Sequence, residues 1–399
     1  SVRVAIGITS EPTGCRTTAE VTASASVPRG TTSASDERTG IAPGHNAGVE
    51  RPADRHEHAL ISAWSAYGDP RPIRQITEVS AFVSTNRVYR VAFEDGSSVI
   101  AKVSSYGSYF LFAEDHDRLH ACAVALRGTR FGGLLADVLT HGDRPFSWYD
   151  GTLWVVFYNE VERRTALPRV LSDRMVENFG REIADFHRAC NNVVDRLPPS
   201  SKSIKSDAIH LLELLESPFA PRNFSLAAEQ IGRLHRHTHE FLLTLERIQY
   251  DYWRKIPVLI DWNLGNFSVD MADDGTFTLF SRWDYDWFRI EPRLMDFYFC
   301  SRVSSRTGDR THWTYSPHTL VEPQFQRFVA AYHEVFPLSD AEVDFVPETY
   351  RFFILNYVVR EGARFFRPDL CDQFRREAVT RYLPAFEHFD VGPLHRAIS

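Results

Sequence analysis

Residues 259–269 read LIDWNLGNFSV, where a short polar loop separates two apolar segments typical of β-strands. The loop carries a carboxylate, Asp261, and a carboxamide, Asn266, five positions apart. In a tight loop the two side chains can converge on one point, where the carboxylate accepts a proton from a hydroxyl and the amide oxygen binds a hard cation. An ordinary loop rich in Asp and Asn is the alternative interpretation. Residues elsewhere in the chain must therefore distinguish a catalytic loop from an ordinary one.

A second acidic stretch follows a predicted hairpin with strands over residues 267–269 and 276–282. It contains Asp284 and Asp286 between aromatic residues. Carboxylates in apolar surroundings need compensation, and Mg²⁺ bound to nucleotide phosphates would provide it, because this ion prefers carboxylate and phosphate oxygens together with water. A solvated turn, or ion pairs with flanking arginines, would also account for the pattern. We interpret Asn266, Asp284 and Asp286 as candidate metal ligands.

The chain before these motifs is predicted to form a small sheet. Strand-like segments lie at residues 73–79, 87–93, 98–103, 134–140 and 152–158, and helices are expected over 56–67 and 112–126. Residues 94–96 read EDG and mark a hairpin turn between the second and third strands. The third strand carries a single lysine, Lys102.

The chain after residue 159 changes to long helical patterns, expected over residues 172–191, 225–248, 322–335 and 348–366. Residues 1–52 are rich in Ser, Thr, Ala, Gly and Pro without a sustained period and are predicted to be a disordered tail. We therefore expect a tail over 1–52, a sheet-containing unit over 53–158 and a mainly helical unit over 159–399.

The composition excludes several classes of protein. With 399 residues, 43% of them hydrophobic and 13% aromatic, the chain can bury a large core. Its net charge of −7 disfavours nucleic acid or an anionic membrane as a partner. The 5 cysteines are scattered without a CxxC pair, which argues against a disulfide framework or a zinc site. No apolar run of about 18 residues occurs, so we expect a cytoplasmic protein that does not cross a membrane.

The order and spacing of these residues resemble the aminoglycoside phosphotransferase and choline kinase family, which is related to the protein kinases. Its central motif is HxDxxxxN, followed by a metal-binding Asp after a hairpin and by a further Asp that opens a helix. Asp261 and Asn266 have the motif spacing. Asp284 falls at the metal position, and Asp296 falls twelve residues later, where the helix opens. Leu259 stands where the family has His.

The resemblance implies an α+β, bilobal, protein-kinase-like fold, with a small antiparallel-sheet N-lobe carrying one helix and a larger, mainly helical C-lobe. In such a fold Lys102 corresponds to the lysine whose ammonium contacts the α and β phosphates and pairs with a helix carboxylate. We expect Glu114 to be that carboxylate, with Asp117 one turn further along as the alternative. A solvated strand lysine and a solvated helix face are the competing interpretations.

Two loop segments complete the implied nucleotide site. Ser84 and Thr85 lie in a loop that resembles the one whose backbone covers the phosphates, although it contains no Gly. The end of the last strand of the sheet resembles the connector that hydrogen-bonds adenine through its backbone. The resemblance thereby places Phe157, Asn159 and Val161 beside the base.

The implied function is transfer of the γ-phosphate of ATP or GTP to a hydroxyl of a small molecule, with Mg²⁺ as cofactor and Asp261 as the catalytic base. Aminoglycosides, choline-like compounds, sugars, amino acids and nucleoside antibiotics all remain open as acceptors. Residues 198–223 and 304–319 are loop-like and are expected to line the acceptor pocket. Two alternatives remain: a catalytically degenerate nucleotide-binding relative, which Leu259 would allow, and a metal-dependent hydrolase, in which Lys102 would have no role.

Overall fold

The structure, a computed structural model, describes residues 52–80, 86–308 and 315–399. The tail predicted for residues 1–52 lies outside these ranges except for Pro52, which begins the first helix. Ser84 and Thr85, predicted to cover the phosphates, also lie outside them. So do residues 309–314, part of the segment expected to line the acceptor pocket.

A five-stranded antiparallel sheet and two helices form the first part of the described chain, here called the N-lobe (residues 52–159). In chain order its elements are α1 (Pro52–Tyr67), β1 (Ile73–Glu78), β2 (Arg87–Phe93), β3 (Ser98–Ser104), α2 (Tyr109–Leu126), β4 (Thr140–His141), β5 (Arg144–Pro145), β6 (Ser147–Tyr149) and β7 (Trp154–Asn159). The strand order is β1-β2-β3-β7-β6, while β4 and β5 form a separate hairpin. The sheet therefore places β3 at its centre, with Lys102 opposite Val156 of β7.

The sheet of the N-lobe is covered on one face by α1. Trp64 of this helix stacks on Phe93, with 4.7 Å between the ring centroids, and meets the edge of Phe157 at 5.1 Å. The helix ends at Gly68, whose φ of +83° is a conformation that favours glycine. The N-lobe thus carries α1 and α2, which correspond to the helices expected over residues 56–67 and 112–126.

The strand predicted over residues 134–140 is not formed as such. This segment makes isolated bridges, of Leu135 with Arg282 and of Val138 with Tyr158, and only its end enters β4. The strand at the sheet edge is β6, which the sequence did not indicate. Apolar residues here do pack into the core, and burial without regular pairing explains why the pattern looked like a strand.

The rest of the chain, here called the C-lobe, is mainly helical. In chain order its elements are α3 (Asp173–Val193), α4 (Ile204–Glu216), α5 (Ala220–Phe224), α6 (Ala228–Arg247), β8 (Ile256–Val258), β9 (Phe267–Met271), β10 (Phe277–Arg282), β11 (Arg289–Glu291), α7 (Phe297–Ser304), α8 (Pro323–Val335), α9 (Asp340–Phe353), α10 (Gly362–Phe365), α11 (Pro368–Glu377) and α12 (Gly392–Ile398). Strands β9 and β10 pair as the predicted hairpin, and β8 pairs with β11.

Helices α3 and α8 pack closely at the centre of the C-lobe. The side chain of Ser172 caps α3 by accepting a hydrogen bond from the N–H of Met175. At Gly180 of α3 a Cβ would lie 2.5 Å from the carbonyl oxygen of Phe328 in α8. Glycine therefore permits the close approach of the two backbones.

Two expectations for the C-lobe were wrong in detail. Residues 198–223 are not a continuous loop, because α4 and α5 occupy most of them. The helix expected over 348–366 begins earlier, at Asp340, and continues into a π-helical segment, Ile354–Arg360, before α10. None of the helices in the described ranges is long and apolar enough to cross a membrane.

Candidate active site

The loop between β8 and β9 carries Asp261 and is fixed from below by Asp296. One oxygen of the Asp296 carboxylate accepts a hydrogen bond from the N–H of Ile260 at 2.6 Å. The other accepts from the indole N–H of Trp262 at 2.7 Å and lies 2.8 Å from Nε2 of His187. His187 in turn contacts the hydroxyl of Tyr332 at 2.8 Å through Nδ1. The side chains of Asp296, Trp262, His187 and Tyr332 are all fully buried.

The contacts of Asp296 with Ile260, Trp262 and His187, here called the brace, hold the backbone next to Asp261 in an unfavourable conformation. Ile260 has a φ of +59°, which is a genuine outlier for a β-branched residue. The N–H of Asp261 donates to the carbonyl of Leu259 at 2.7 Å, which closes a tight turn around Ile260. Strained backbone of this kind persists only where surrounding contacts determine it, and it clusters at functional sites. The turn presents Asp261 half-exposed.

Arg282, at the end of β10, joins the loop to the second acidic stretch. Its guanidinium is fully buried and donates to the carbonyl oxygens of Asp261 at 2.8 Å, Asn266 at 3.2 Å and Trp283 at 2.6 Å. The N–H of Trp283 donates back to the carbonyl of Asn266 at 2.9 Å. The structure thus brings Asp261, Asn266 and the start of the second acidic stretch together.

Asp284 follows directly and has a φ of +67°, a second strained residue in the same region. Its side chain is exposed, and one of its oxygens lies 3.4 Å from the N–H of Asp286. The surrounding protein and the carboxylate of Asp286 both raise the pKa of Asp284. Because the charge of Asp286 contributes to this rise, a cation bound here would relieve repulsion between the two carboxylates.

Lys102 pairs with Asp286. Its ammonium forms an ion pair with Oδ1 of Asp286, while the amide of Asn86 donates to Oδ2 at 2.6 Å. Burial alone would lower the pKa of Lys102, but Asp286, Tyr158 and Asp284 together outweigh it and raise that pKa. Burial opposes ionisation of Asp286 as well, yet Lys102 and Asn86 lower its pKa. The pair is charged and connects β3 of the N-lobe to the acidic stretch of the C-lobe.

The expected pairing of Lys102 with Glu114 is wrong. Glu114 forms an ion pair with Arg118, one turn along α2, and accepts a hydrogen bond from the hydroxyl of Ser201. Arg118 is fully buried and donates to the carbonyl of Pro199 at 3.0 Å. Glu114 therefore lies on the side of α2 that meets the C-lobe segment 199–202. Asp117, the alternative partner, is exposed.

Segment 199–202 is a clamp on α2. Besides the contacts of Glu114 and Arg118, the ammonium of Lys202 forms an ion pair with Asp115. These three side chains of α2 are thus all tied to the C-lobe. Because the segment precedes α4 directly, it fixes the orientation of α2 about its own axis.

The face of α2 that points to Lys102 carries His116, which sequence reasoning missed. Nδ1 of His116 lies 2.6 Å from the carbonyl oxygen of Phe112, and Nε2 is hydrogen-bonded to the hydroxyl of Tyr158 on β7. The ammonium of Lys102 lies 6.0 Å from the centroid of the Tyr158 ring. The available signal was the apolar stripe of α2, since His116 has the helical spacing of the buried Leu119 and Ala123.

The residues predicted to bind adenine occupy the end of β7 and the chain after it. The Phe157 side chain is buried in the N-lobe core, and its carbonyl accepts from the N–H of Leu139 at 2.8 Å. The N–H of Asn159 donates to the carbonyl of Asp137 at 2.9 Å. Val161 packs against the C-lobe core. The carbonyl of Phe157 and the N–H of Asn159 are therefore already paired within the N-lobe.

The oxygen donors fit Mg²⁺ better at Asn266 and Asp284 than at Asp286. The amide nitrogen of Asn266 faces the carbonyl of Asp261 at 3.4 Å, which leaves its oxygen for a cation. Asp284 offers an exposed carboxylate, whereas both oxygens of Asp286 already have donors. Within the described ranges, no cluster of three or more His, Cys, Asp or Glu side chains is arranged to hold a metal.

Comparison with solved structures identifies the architecture. The chain superposes on an amicoumacin kinase in complex with AMP-PNP, Ca²⁺ and Ami, with a TM-score of 0.55 over 83% of this chain and 97% of that one. The fold is that of the aminoglycoside phosphotransferases and related small-molecule kinases. A microcompartment-associated aminopropanol kinase matches with a TM-score of 0.53, over 80% of this chain and 95% of that chain. The GDP and kanamycin complex of the phosphotransferase APH(2")-IIia matches with a TM-score of 0.52, over 82% and 97%.

The likeness to these phosphotransferases is one of structure. The sequence identities are 14%, 16% and 14%, respectively. No protein-family model matches the sequence, and no curated protein matches it. The phosphotransferase fold that the resemblance implied, with a small antiparallel sheet and a larger, mainly helical part, is confirmed.

Proposed function

We propose that the chain transfers the γ-phosphoryl group of a nucleoside triphosphate to a hydroxyl of a small molecule. The observation that carries the proposal is the single connected network that joins Asp261, Asn266 and Asp284 to Lys102 within a small-molecule kinase fold. Phosphoryl transfer needs little covalent chemistry from a protein, and positioning with charge stabilisation accounts for most of the catalysis.

Asp261 is the proposed catalytic base. Its backbone is held by the contact of its carbonyl with Arg282 and by the turn around Ile260, so the carboxylate projects from a fixed position. A hydroxyl placed against it would be oriented for attack and would deliver its proton there. Asp296 acts through the loop backbone and is a positioning residue.

Asn266 and Asp284 are the residues that would hold Mg²⁺ with the nucleotide. The ion, when bound, would neutralise charge on the phosphates. The raised pKa of Asp284 beside Asp286 supports a cation at this point, because the two carboxylates repel each other without one. Asp286, proposed from the sequence as a third ligand, instead holds Lys102 where the α and β phosphates would lie.

Residues 53–158 would then bind the nucleotide, and residues 159–399 would supply catalysis and the acceptor site. The acceptor would lie against the C-lobe near α4 and α7, where Asp261 adjoins Tyr298 closely enough to raise the pKa of that phenol further than burial alone. ATP and GTP are both proposed as donors.

The leucine at position 259 does not leave the loop unsupported. In the resembling family the motif histidine mainly supports the catalytic loop, and here Asp296, His187 and Trp262 do so from below. This favours an active enzyme over a degenerate nucleotide-binding relative.

The test is a phosphate-transfer screen of hydroxylated small molecules with ATP and GTP in the presence of Mg²⁺. We expect transfer to at least one acceptor with the wild-type protein and its loss in Asp261→Asn, which keeps the shape of the side chain and removes the base. Nucleotide binding without turnover for any acceptor would favour the degenerate relative. Hydrolysis that survives Lys102→Ala would favour a metal-dependent hydrolase.

A further inference from the structure

Lys102 faces α2 across a cluster that contains no carboxylate from that helix. Lys102, His116 and Tyr158 are buried, and no more than 6% of each residue is exposed. His116 comes from α2, Tyr158 from β7 and Lys102 from β3, so the cluster joins three elements of the N-lobe.

The direction of the hydrogen bonds in this cluster follows from the acceptor at one end. The carbonyl of Phe112 can only accept, so Nδ1 of His116 carries a proton and donates to it at 2.6 Å. In a neutral imidazole Nε2 must then accept, so the hydroxyl of Tyr158 donates to His116. The ring of Tyr158 lies beside Lys102, with 6.0 Å between its centroid and the ammonium, so the phenol oxygen can accept from that donor.

The surroundings keep the side chains of His116 and Tyr158 neutral. Burial, and then the charge of Lys102, lowers the pKa of His116 to about 3. Lys202 also lowers this pKa, whereas Asp286 raises it. Burial raises the pKa of Tyr158 to about 12 against the effect of Lys102. A protonated His116 would place a second positive charge in a buried cluster that already holds an ammonium.

Neutral side chains at His116 and Tyr158 also fit the charge balance of the site. Lys102 and the buried Arg282 bring two positive charges, and Asp284 and Asp286 bring two negative charges. A further carboxylate from α2 would add a third negative charge where a triphosphate has to bind. The hydroxyl of Tyr158 would accept from the ammonium without adding charge.

We infer that His116 and Tyr158 are positioning residues for Lys102, forming a neutral hydrogen-bonded relay from α2 in the place where a helix carboxylate was expected. The inference rests on the proposed function, since it assigns Lys102 to the phosphates of the nucleotide. Through this relay the orientation of α2 sets the position of the ammonium.

The experiment measures binding of AMP-PNP and GMP-PNP with Mg²⁺ by titration calorimetry, together with the melting temperature of each variant. We expect His116→Leu and Tyr158→Phe each to weaken binding of the tighter nucleotide about tenfold, the size of one hydrogen bond to a charged group. The double variant should lose no more than either single variant, because both changes break the same relay. His116→Gln should restore most of the affinity, because its amide can donate to Phe112 and accept from Tyr158.

His120→Leu is the matched control, a half-buried histidine one turn further along the same helix, and it should bind as the wild type does. Variants that lower the melting temperature but leave the affinity unchanged would overturn the inference, and so would additive losses in the double variant. If His116→Leu does not fold, Tyr158→Phe, which removes a single oxygen, decides the question. A wild-type protein that binds neither nucleotide would overturn the proposed function itself.

Discussion

Replacement of Asp296 by Asn tests whether the brace under the catalytic loop controls the site. The carboxylate faces the N–H groups of Ile260 and Trp262 on different oxygens, and it also meets His187. An asparagine keeps the shape but has one oxygen and one NH₂ group. Whichever way the amide is turned, one buried N–H loses its acceptor, although His187 can adapt by changing its tautomer.

The cost follows from that single orphaned donor. An unsatisfied buried group costs about 1–3 kcal/mol, and the lost charge assistance places Asp296→Asn towards the upper part of this range. Where the NH₂ group of the asparagine is turned towards the N–H of Ile260, the left-handed conformation of that residue, unfavourable by about 1–2 kcal/mol, should relax. A shift of about 1 Å in Asp261 would reduce kcat about 100-fold.

The assay compares urea unfolding and kcat of the wild type, Asp296→Asn and Asp270→Asn. Asp270 is the matched control, because its ion pair with Arg164 is solvent-exposed and is worth about 0–1 kcal/mol. An Asp296→Asn variant as stable as the control would refute the prediction that a buried N–H group without an acceptor lowers the free energy of unfolding. A destabilised variant with wild-type kcat would refute the connection between the brace and Asp261.

Two further results are expected. Asp286→Asn should lower kcat/KM for the nucleotide at least tenfold, because it removes the charged partner of Lys102, whereas Glu114→Gln should change it less than about threefold. Steady-state kinetics with varied nucleotide measure both values. A larger loss in Glu114→Gln than in Asp286→Asn would contradict the observed partner of Lys102. Burial raises the pKa of Glu291 to about 7, so its protonated form favours the folded state, and the free energy of unfolding should fall by about 2–3 kcal/mol between pH 5 and pH 8 on this account. Chemical denaturation of Glu291→Gln, which mimics the protonated acid, should lack this part of the decline, and an unchanged pH dependence would contradict the assignment.

The catalytic loop could be predicted from the sequence because its geometry is local. Asp261 and Asn266 lie in one short loop, and the hairpin that follows brings Asp284 back beside them within a few residues. Short loops and hairpins leave few alternative arrangements. The closeness of Asp261 and Asn266 was therefore expected from their spacing, whereas the place of Asp284 beside them was implied by the resemblance.

The partner of Lys102 could not be predicted in this way, because it depends on how α2 is turned about its axis. The rotation is set by contacts distant in sequence, chiefly the buried Arg118 with the carbonyl of Pro199. Those contacts carry Glu114 away from Lys102 and bring His116 towards it. The apolar stripe of α2 did contain this information, but a histidine on a buried face is usually a satisfied core residue.

Helix α4 was missed for a different reason. The Pro, Ser and Lys residues before it suggested a loop, while Ile204, Ala208, Leu211 and Leu215 have the spacing of one buried helical face. A capping box at Ser203 begins the helix where the polar segment ends. The composition of the preceding segment had masked the start signal.

The clamp formed by segment 199–202 has a consequence for how such a chain diversifies. The segment runs directly into α4, beside the region proposed for the acceptor, and it also holds the helix that carries His116. Substitutions that adapt this region to a new acceptor would therefore be transmitted to Lys102, the lysine proposed to hold the phosphates. Donor use and acceptor choice are then inherited as linked traits, and a change in one would select for compensating changes in the other.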